Sequence, residues 1–234
     1  MRLSDRLRSI ADLVTEGSRI ADIGTDHAYL PIALCREGRI PSAIASDLRE
    51  GPLAAARENI RKAGLEDRIL LRLSDGLSAY RPGEAETLIL AGMGGRLICR
   101  ILTDGQCLLD TFREILLQPQ SEIASVRVLL AEHRLKIVQE ACTEEDGKYY
   151  PVILAVPVKE ELSTVYSEDE VAFGPCLLAE KDPVIRKYLT ERRAVVGAIL
   201  TELQKNEGIA AQRRVSELKE EERLIRTALQ RYEM

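Results

Sequence analysis

The feature that most constrains this chain is an alternation that runs through its first 130 or so residues. RIADIG (19–24), SAIASDL (42–48), ILLRLSDG (69–76), ETLILAGMGG (86–95) and FREILLQPQ (112–120) are short apolar runs that read as strands. Stretches with helical spacing follow at 29–37, at GPLAAARENIRKAG (51–64), through LICRIL and over SEIASVRVLLAEH. The second of these enters through Gly-Pro and leaves through Gly64, as helices do. Strand followed by helix, repeated, implies a parallel sheet with helices on both faces. The alternation then stops. LKIVQEACTEEDGKYYPVILAVPV (135–158) holds two apolar runs around EEDGK with no helix between them, which reads as a hairpin at the sheet edge. The expectation is an α/β, Rossmann-like domain whose mainly parallel sheet ends in an antiparallel hairpin.

Beyond it, EELSTVYSEDEVAFGP (160–175) reads as a loop. Apolar residues then recur at helical spacing: Val184, Tyr188, Val195, Ile199 and Leu203, and after Gly208 Val215, Leu218, Ile225, Leu229 and Tyr232. Two helices folded into an antiparallel coiled-coil hairpin fit this pattern. The expected division is therefore 1–160 and 161–234.

Composition excludes several classes. The five cysteines (Cys35, Cys99, Cys107, Cys142 and Cys176) form no C-x-x-C pair, and two histidines supply no zinc spacing, so reduced thiols and no metal are expected. No apolar run is long enough to span a bilayer, and MRLSDRLRSIADL lacks the apolar stretch and cleavage site of a signal peptide. A cytoplasmic protein with no membrane contact is the expectation. A net charge of −5 argues against indiscriminate nucleic-acid binding but allows a local basic face. With no tryptophan and two phenylalanines, a platform for stacking single strands is not expected.

In such a sheet, ligands sit beyond the carboxyl ends of the strands. Four of those ends read DIGTDH, SDLREGP, SDG and AGMGG. A dinucleotide needs G-x-G-x-x-G so that its pyrophosphate can approach a helix N-terminus. Here Gly24 is followed by Thr25, Asp26, His27 and Ala28, and an acid at that point repels a pyrophosphate. S-adenosylmethionine fits better: its sulfonium and amino group suit Asp22 and Asp26. Asp47 is placed for the ribose hydroxyls and Asp75 for the adenine amino group, with Gly76 letting backbone approach the ring. Each acid alone also reads as a turn former or cap; three at successive strand ends make the stronger pattern.

RLSDRLRSIADLV, ADIGTDHAYLP, GPLAAARENI, LSDGL and LILAGMGGRLI together resemble the bacterial tRNA (adenine-22-N1)-methyltransferase family. LQPQ and EDGKYY resemble further stretches of it, and the tail resembles its coiled-coil domain. The resemblance implies a class I methyltransferase domain that uses S-adenosylmethionine to methylate N1 of adenine 22 in certain tRNAs. The expected cofactor site comprises Asp22, Gly24, Asp26 and His27, then Asp47 and Leu48, then Asp75, Gly76 and Leu77, and finally Ala91 and Gly92. The expected catalytic group is Asp26, His27, Tyr29, Met93 and Gly94.

Adenine N1 carries an in-plane lone pair and no proton, so attack on a methyl group needs no prior deprotonation. Catalysis then rests on positioning and on exclusion of water. Gly92, Gly94 and Gly95 would let backbone approach the base, Met93 would pack on its face, and Asp26 would stabilise charge moving from sulfur to base. His27 reads either as a contact to the base or as a bond within its turn, and Tyr29 either as a base-stacking ring or as helix packing. Asn59 reads as solvent-facing. The base must be extruded from folded tRNA to expose N1. Arg186, Arg192, Arg193, Arg213 and Arg214 on the tail, and Arg2, Arg6 and Arg8 at the N-terminus, are candidate RNA contacts, with a solvated surface as their plain alternative. Arg6 reads alternatively as a cap on the cofactor site. A monomer or weak dimer is expected. A small-molecule methyltransferase and a non-catalytic RNA-binding module are the alternative readings.

Overall fold

The computed structural model describes residues 2–159, 166–203 and 209–233. The chain forms two compact units, Met1–Ser163 and Thr164–Met234. The first holds strands β1 (Ile20–Ile23), β2 (Ala43–Asp47), β3 (Ile69–Leu73), β4 (Thr87–Met93), β5 (Glu114–Pro119), β6 (Leu135–Glu145) and β7 (Lys148–Pro157). They form one sheet in the order β3-β2-β1-β4-β5-β7-β6. β1 to β5 are parallel, and β7 enters antiparallel between β5 and β6. This is the mainly parallel sheet with an antiparallel hairpin that the alternation predicts. The first hairpin strand, β6, forms the edge.

β1, β2 and β5 are buried along their whole length, which is why they read as mainly apolar runs without strict alternation. Helices α1 (Asp5–Leu13), α2 (Tyr29–Arg36), α3 (Glu50–Ala63), α4 (Gly95–Asp104), α5 (Gln106–Leu109) and α6 (Ile123–Glu132) complete the first unit. α1 starts where Ser4 Oγ accepts the Leu7 N–H, and α3 ends on Gly64 at φ 65°. The order of strands reverses at β1, whose neighbours are β2 and β4, so the topological switch point lies between β1 and β4.

The second unit holds α7 (Glu168–Phe173), α8 (Pro175–Ala179), α9 (Pro183–Leu203) and α10 (Ile209–Gln230). Two expectations change here. Residues 168–173 are helical, started by a capping box in which Ser167 and Glu170 bond each other's backbone. The buried face of α9 is Ile185, Leu189, Val196 and Leu200, one residue on from the face expected at Val184, Tyr188, Val195 and Ile199; Val195 is 47% exposed. On α10, Leu218, Ile225 and Ala228 are buried. Tyr232 Oη donates to Asp182 O, and Arg192 meets Glu221, so α9 and α10 run antiparallel. Gly208 and the boundary expected at 160/161 lie outside the described residues.

Candidate active site

The turn after β1 is built from left-handed residues. Gly24, Asp26 and Ala28 have φ of 71°, 51° and 57°. Glycine adopts this region freely, whereas Asp26 and Ala28 adopt it at a cost and need fixing from outside. Gly24 and Thr25 donate their N–H groups to Ser46 O at 2.8 and 2.9 Å, and Ala28 N–H returns to Thr25 O at 2.9 Å. Asn59, from the middle of α3, donates Nδ2 to His27 O at 3.0 Å. Asn59 is thus a strut of the turn and not the solvent-facing residue expected. A polar residue within a helix reads as surface, and its carbonyl partner lies 32 positions away.

Around that turn the side chains divide. Asp22 is buried, accepts Thr25 Oγ1 at 2.6 Å, and is pushed up to about 6 by burial, with Asp47's charge adding and Thr25's bond opposing. Asp26 is exposed, with Oδ2 3.6 Å from His27 Nε2. The His27 and Tyr29 rings stack with centroids 5.1 Å apart and planes 20° apart. Tyr29 is 40% exposed and lines the smaller of two adjoining cavities.

Two cavities of about 300 and about 450 Å³ adjoin there, both lined by Gly24, Asp26, Ala91 and Gly92. The larger one takes Asp47, Leu48, Asp75, Gly76, Met93 and Leu97. Asp47 ends β2 with Oδ1 accepting the Arg49 N–H at 3.0 Å. Asp75 and Gly76 sit in a turn shaped by Ser74, whose Oγ donates to Gly76 O and accepts the Ala79 N–H. Leu48 and Leu97 are 60% and 39% exposed, apolar walls beside two carboxylates. The smaller cavity takes Asp22, Asp26, His27 and Tyr29 together with Arg6, Leu7 and Gln120. Gln120, the last residue of the LQPQ stretch, was not among the expected site residues. A third hollow, of about 420 Å³, continues past Arg6 and Tyr29 to Arg2 and Ser4.

Several expected residues are placed differently. Leu77 is 4% exposed, with Gly105 packed closely on its side chain, and it lines neither of the adjoining cavities. Gly94 caps α4 and also lines neither. Gly95 is required for packing: a Cβ there would lie 2.4 Å from Ser121 O, so α4 rests directly on the backbone after β5. Met93 lies in the larger cavity, with its Cε against Gly24, and not beside His27 and Tyr29. A register shift against β5 between Ala91 and Met93, with Gly92 at φ 73°, turns it that way.

The arginines also sort themselves. Arg6 lies over Tyr150 and reaches Gly92, at the rim of the smaller cavity. Arg2 is exposed in the third hollow. Arg8 is held bidentately by Glu37 at 2.9 and 2.8 Å. On the second unit, Arg192 is held by Glu221 at 2.5 and 3.0 Å, and Arg213 and Arg214 both face Glu217. Arg186 lies over Tyr232, and Arg193 is exposed. Among the described residues no cluster of His, Cys, Asp or Glu is arranged to hold a metal ion, and no helix is long and apolar enough to cross a membrane.

A parallel sheet with acids beyond β1, β2 and β3, and two cavities meeting at β1 and β4, is the layout of a Rossmann-fold methyltransferase. Residues 3–153 match the family model described as a methyltransferase domain. The chain is 35% identical over 193 residues to the tRNA (adenine(22)-N(1))-methyltransferase of Bacillus subtilis, covering 82% of this chain and 81% of that one. It belongs to the tRNA (adenine(22)-N(1))-methyltransferase family. Among solved structures it is similar to Streptococcus pneumoniae Sp1610 in complex with S-adenosyl-L-methionine (TM-score 0.85, 33% identity, 97% of this chain and 100% of that one). It is also similar to M. capricolum TrmK in complex with S-adenosyl-homocysteine (TM-score 0.83, 27% identity, 99% of each chain).

Proposed function

We propose that this protein methylates N1 of adenine 22 in tRNA with S-adenosyl-L-methionine as methyl donor. The observation that carries this is the pair of cavities meeting at Gly24, Asp26, Ala91 and Gly92, one suited to a nucleoside and the other open to a base. The residues fit the cofactor. Asp47 presents a buried carboxylate for ribose hydroxyls, Asp75 an acceptor for the adenine amino group, and Leu48 and Leu97 apolar walls for the ring. Asp22 and Asp26 offer negative charge toward an ammonium and a sulfonium. When bound, the cofactor supplies a methyl group activated by its sulfonium. Gly24 and Gly92, lining both cavities, leave the opening through which base and methyl group meet.

Tyr29 takes the face of the extruded adenine, and His27, stacked on it, orients the base edge. Arg6, at the rim, and Arg2 beyond it hold the phosphates beside the base. N1 attacks through its own lone pair, so these residues position and dehydrate it and need not remove a proton. The bond to the methyl carbon forms as the carbon–sulfur bond breaks. The positive charge leaves sulfur for the purine, and Asp26 faces both positions.

The second unit grips the body of the tRNA, with Arg193 as an exposed contact and Arg186, Arg213 and Arg214 beside it. The protein acts in the cytoplasm as a monomer or weak dimer and without a metal. Purified protein with labelled S-adenosyl-L-methionine and tRNA should yield 1-methyladenosine at position 22 and no label on tRNA bearing guanine there. Labelling of other nucleotides at the same rate, or of metabolites and not tRNA, would overturn the reading. Removing Thr164–Met234 should leave cofactor binding intact and abolish most tRNA affinity.

A further inference from the structure

Asp75 does not stand alone at the end of β3. Arg100, on α4, donates Nη2 to Asp75 Oδ1 at 2.8 Å and Nη1 to Oδ2 at 3.2 Å. Both side chains are 47% exposed and both line the larger cavity. A pair that exposed adds little to stability. Nor does α4 need it as an anchor, because Ile98, Ile101 and Leu102 are already buried beneath that helix. The fork acts instead on the carboxylate. It occupies one lone pair on each oxygen, leaves another on each, and fixes the plane in which those remaining pairs point. Arg100 also holds Asp75 below the usual carboxylate range, so that it stays an acceptor and never a donor.

We propose that Arg100 is a specificity-determining residue for the cofactor. Its fork immobilises Asp75 as a pure acceptor for the 6-amino group of the purine, so that a 6-oxo purine, which brings lone pairs to the same place, is rejected. Leu48 and Leu97 grip any flat ring without regard to its substituents, so base selection falls to the Asp75–Arg100 pair. A carboxylate free to rotate could turn from a mismatched group; a forked one cannot. This inference rests on the proposed placement of the cofactor's nucleoside in the larger cavity.

Calorimetric titration with S-adenosylhomocysteine and with its 6-oxo analogue, S-inosylhomocysteine, tests it. The wild type should prefer the amino compound by on the order of 10², as sites built to bond one group reject its replacement. Arg100→Ala should weaken the amino compound about tenfold and leave the 6-oxo compound nearly unchanged, narrowing the ratio to about ten. Arg100→Lys keeps the charge without the fork and should give an intermediate ratio. An unchanged ratio in Arg100→Ala overturns the proposal, as does a wild-type ratio in Arg100→Lys, which also serves should the alanine variant fail to fold. Asp47→Ala separates the underlying reading. If it weakens both ligands equally while Arg100 variants leave the ratio alone, the nucleoside is placed correctly and Arg100 is not its selector. If Asp47→Ala leaves both affinities unchanged, the placement itself is wrong and this inference falls with it.

Discussion

The two cavities that meet at Gly24 and Gly92 are made from different parts of the fold. The larger draws its polar groups from strand ends, where Asp47 is set by the Arg49 N–H and Asp75 by the fork of Arg100. The smaller draws them from a left-handed turn, from α1 and from the loop after β5, and its parts are tied together across long stretches of sequence. A site on strand ends inherits the rigidity of the sheet. A site on a turn needs struts, and it can reshape around a base that arrives attached to a large RNA. Changes confined to the first should therefore act on binding, and changes to the turn of the second mainly on chemistry. Asp22, at the end of β1, should act on binding from the second.

The largest expected effect lies at the turn residue where the two cavities meet. Asp26→Asn should slow single-turnover methyl transfer by roughly 10²–10³, the scale of one lost preorganised electrostatic contact, while cofactor affinity falls far less. Equal losses in rate and affinity would erase the distinction between the cavities. His27→Ala should be milder. Transfer by the wild type should stay nearly flat between about pH 6 and 9, because N1 needs no deprotonation. A steep dependence that disappears in His27→Ala would make His27 a general base.

Asp47→Ala is the complementary test. It should weaken cofactor binding by about 1.5–3 kcal/mol through lost charge-assisted bonds, and leave tRNA affinity untouched. Unchanged calorimetric affinity would remove Asp47 from the site.

A smaller effect appears with pH. Burial raises Asp22 to about 6, so below that value it is protonated and no longer faces a cation. Cofactor affinity should be constant above about pH 7 and fall by up to tenfold per unit below about pH 6; Asp22→Asn should flatten the profile. Folding has the opposite sign. The native state holds this proton more tightly than the unfolded chain does, so Asp22's contribution to stability declines from about pH 4 to about pH 6 and then levels off. Cofactor affinity that rises as the pH drops through that window would contradict the first. Stability that rises with pH from about 4 to about 6 in the wild type relative to Asp22→Asn would contradict the second.

The smallest effect belongs to Asn59→Ala, which removes one bond of about 0.5–1.5 kcal/mol from the turn. It should raise the apparent KM for tRNA and lower the rate slightly with cofactor affinity preserved, and Asn59→Asp should not rescue it, since a carboxylate cannot donate to His27 O. Rescue by Asn59→Asp would mean the bond is not what matters.

These expectations differ in how far the sequence alone could have supplied them. The sheet was legible because its buried parallel strands are mainly apolar runs, and Asp47 and Asp75 stood out as acids at their ends. Asn59 and Arg100 were not, since each works through a partner remote in sequence, and a polar helical residue looks the same whether it faces water or another protein group. Met93 was misplaced because nothing local announces the register shift that turns it under Gly24. The face of α9 slipped by one residue because Val184–Ile185, Tyr188–Leu189 and Val195–Val196 are adjacent apolar pairs, and either member of each satisfies the period. Residues 168–173 were read as loop although Ser167 and Glu170 carry a helix-start signature; a helix that short gives too little periodicity to notice.

The tether of Arg6 has a consequence for how the enzyme comes into being. Its backbone N–H is bonded by Glu145 at 3.1 Å, its carbonyl by Gln118 Nε2 at 3.0 Å, and its guanidinium lies over Tyr150. A segment that is made before every strand of its unit is thus fastened by some of the last of them. The larger cavity, whose residues span 23–101, has all its lining residues once β4 and α4 have emerged. The rim that admits a base must wait for the hairpin some fifty residues later. With the cofactor placed as proposed, the residues that hold the methyl donor are made before the hairpin that completes the rim for the base.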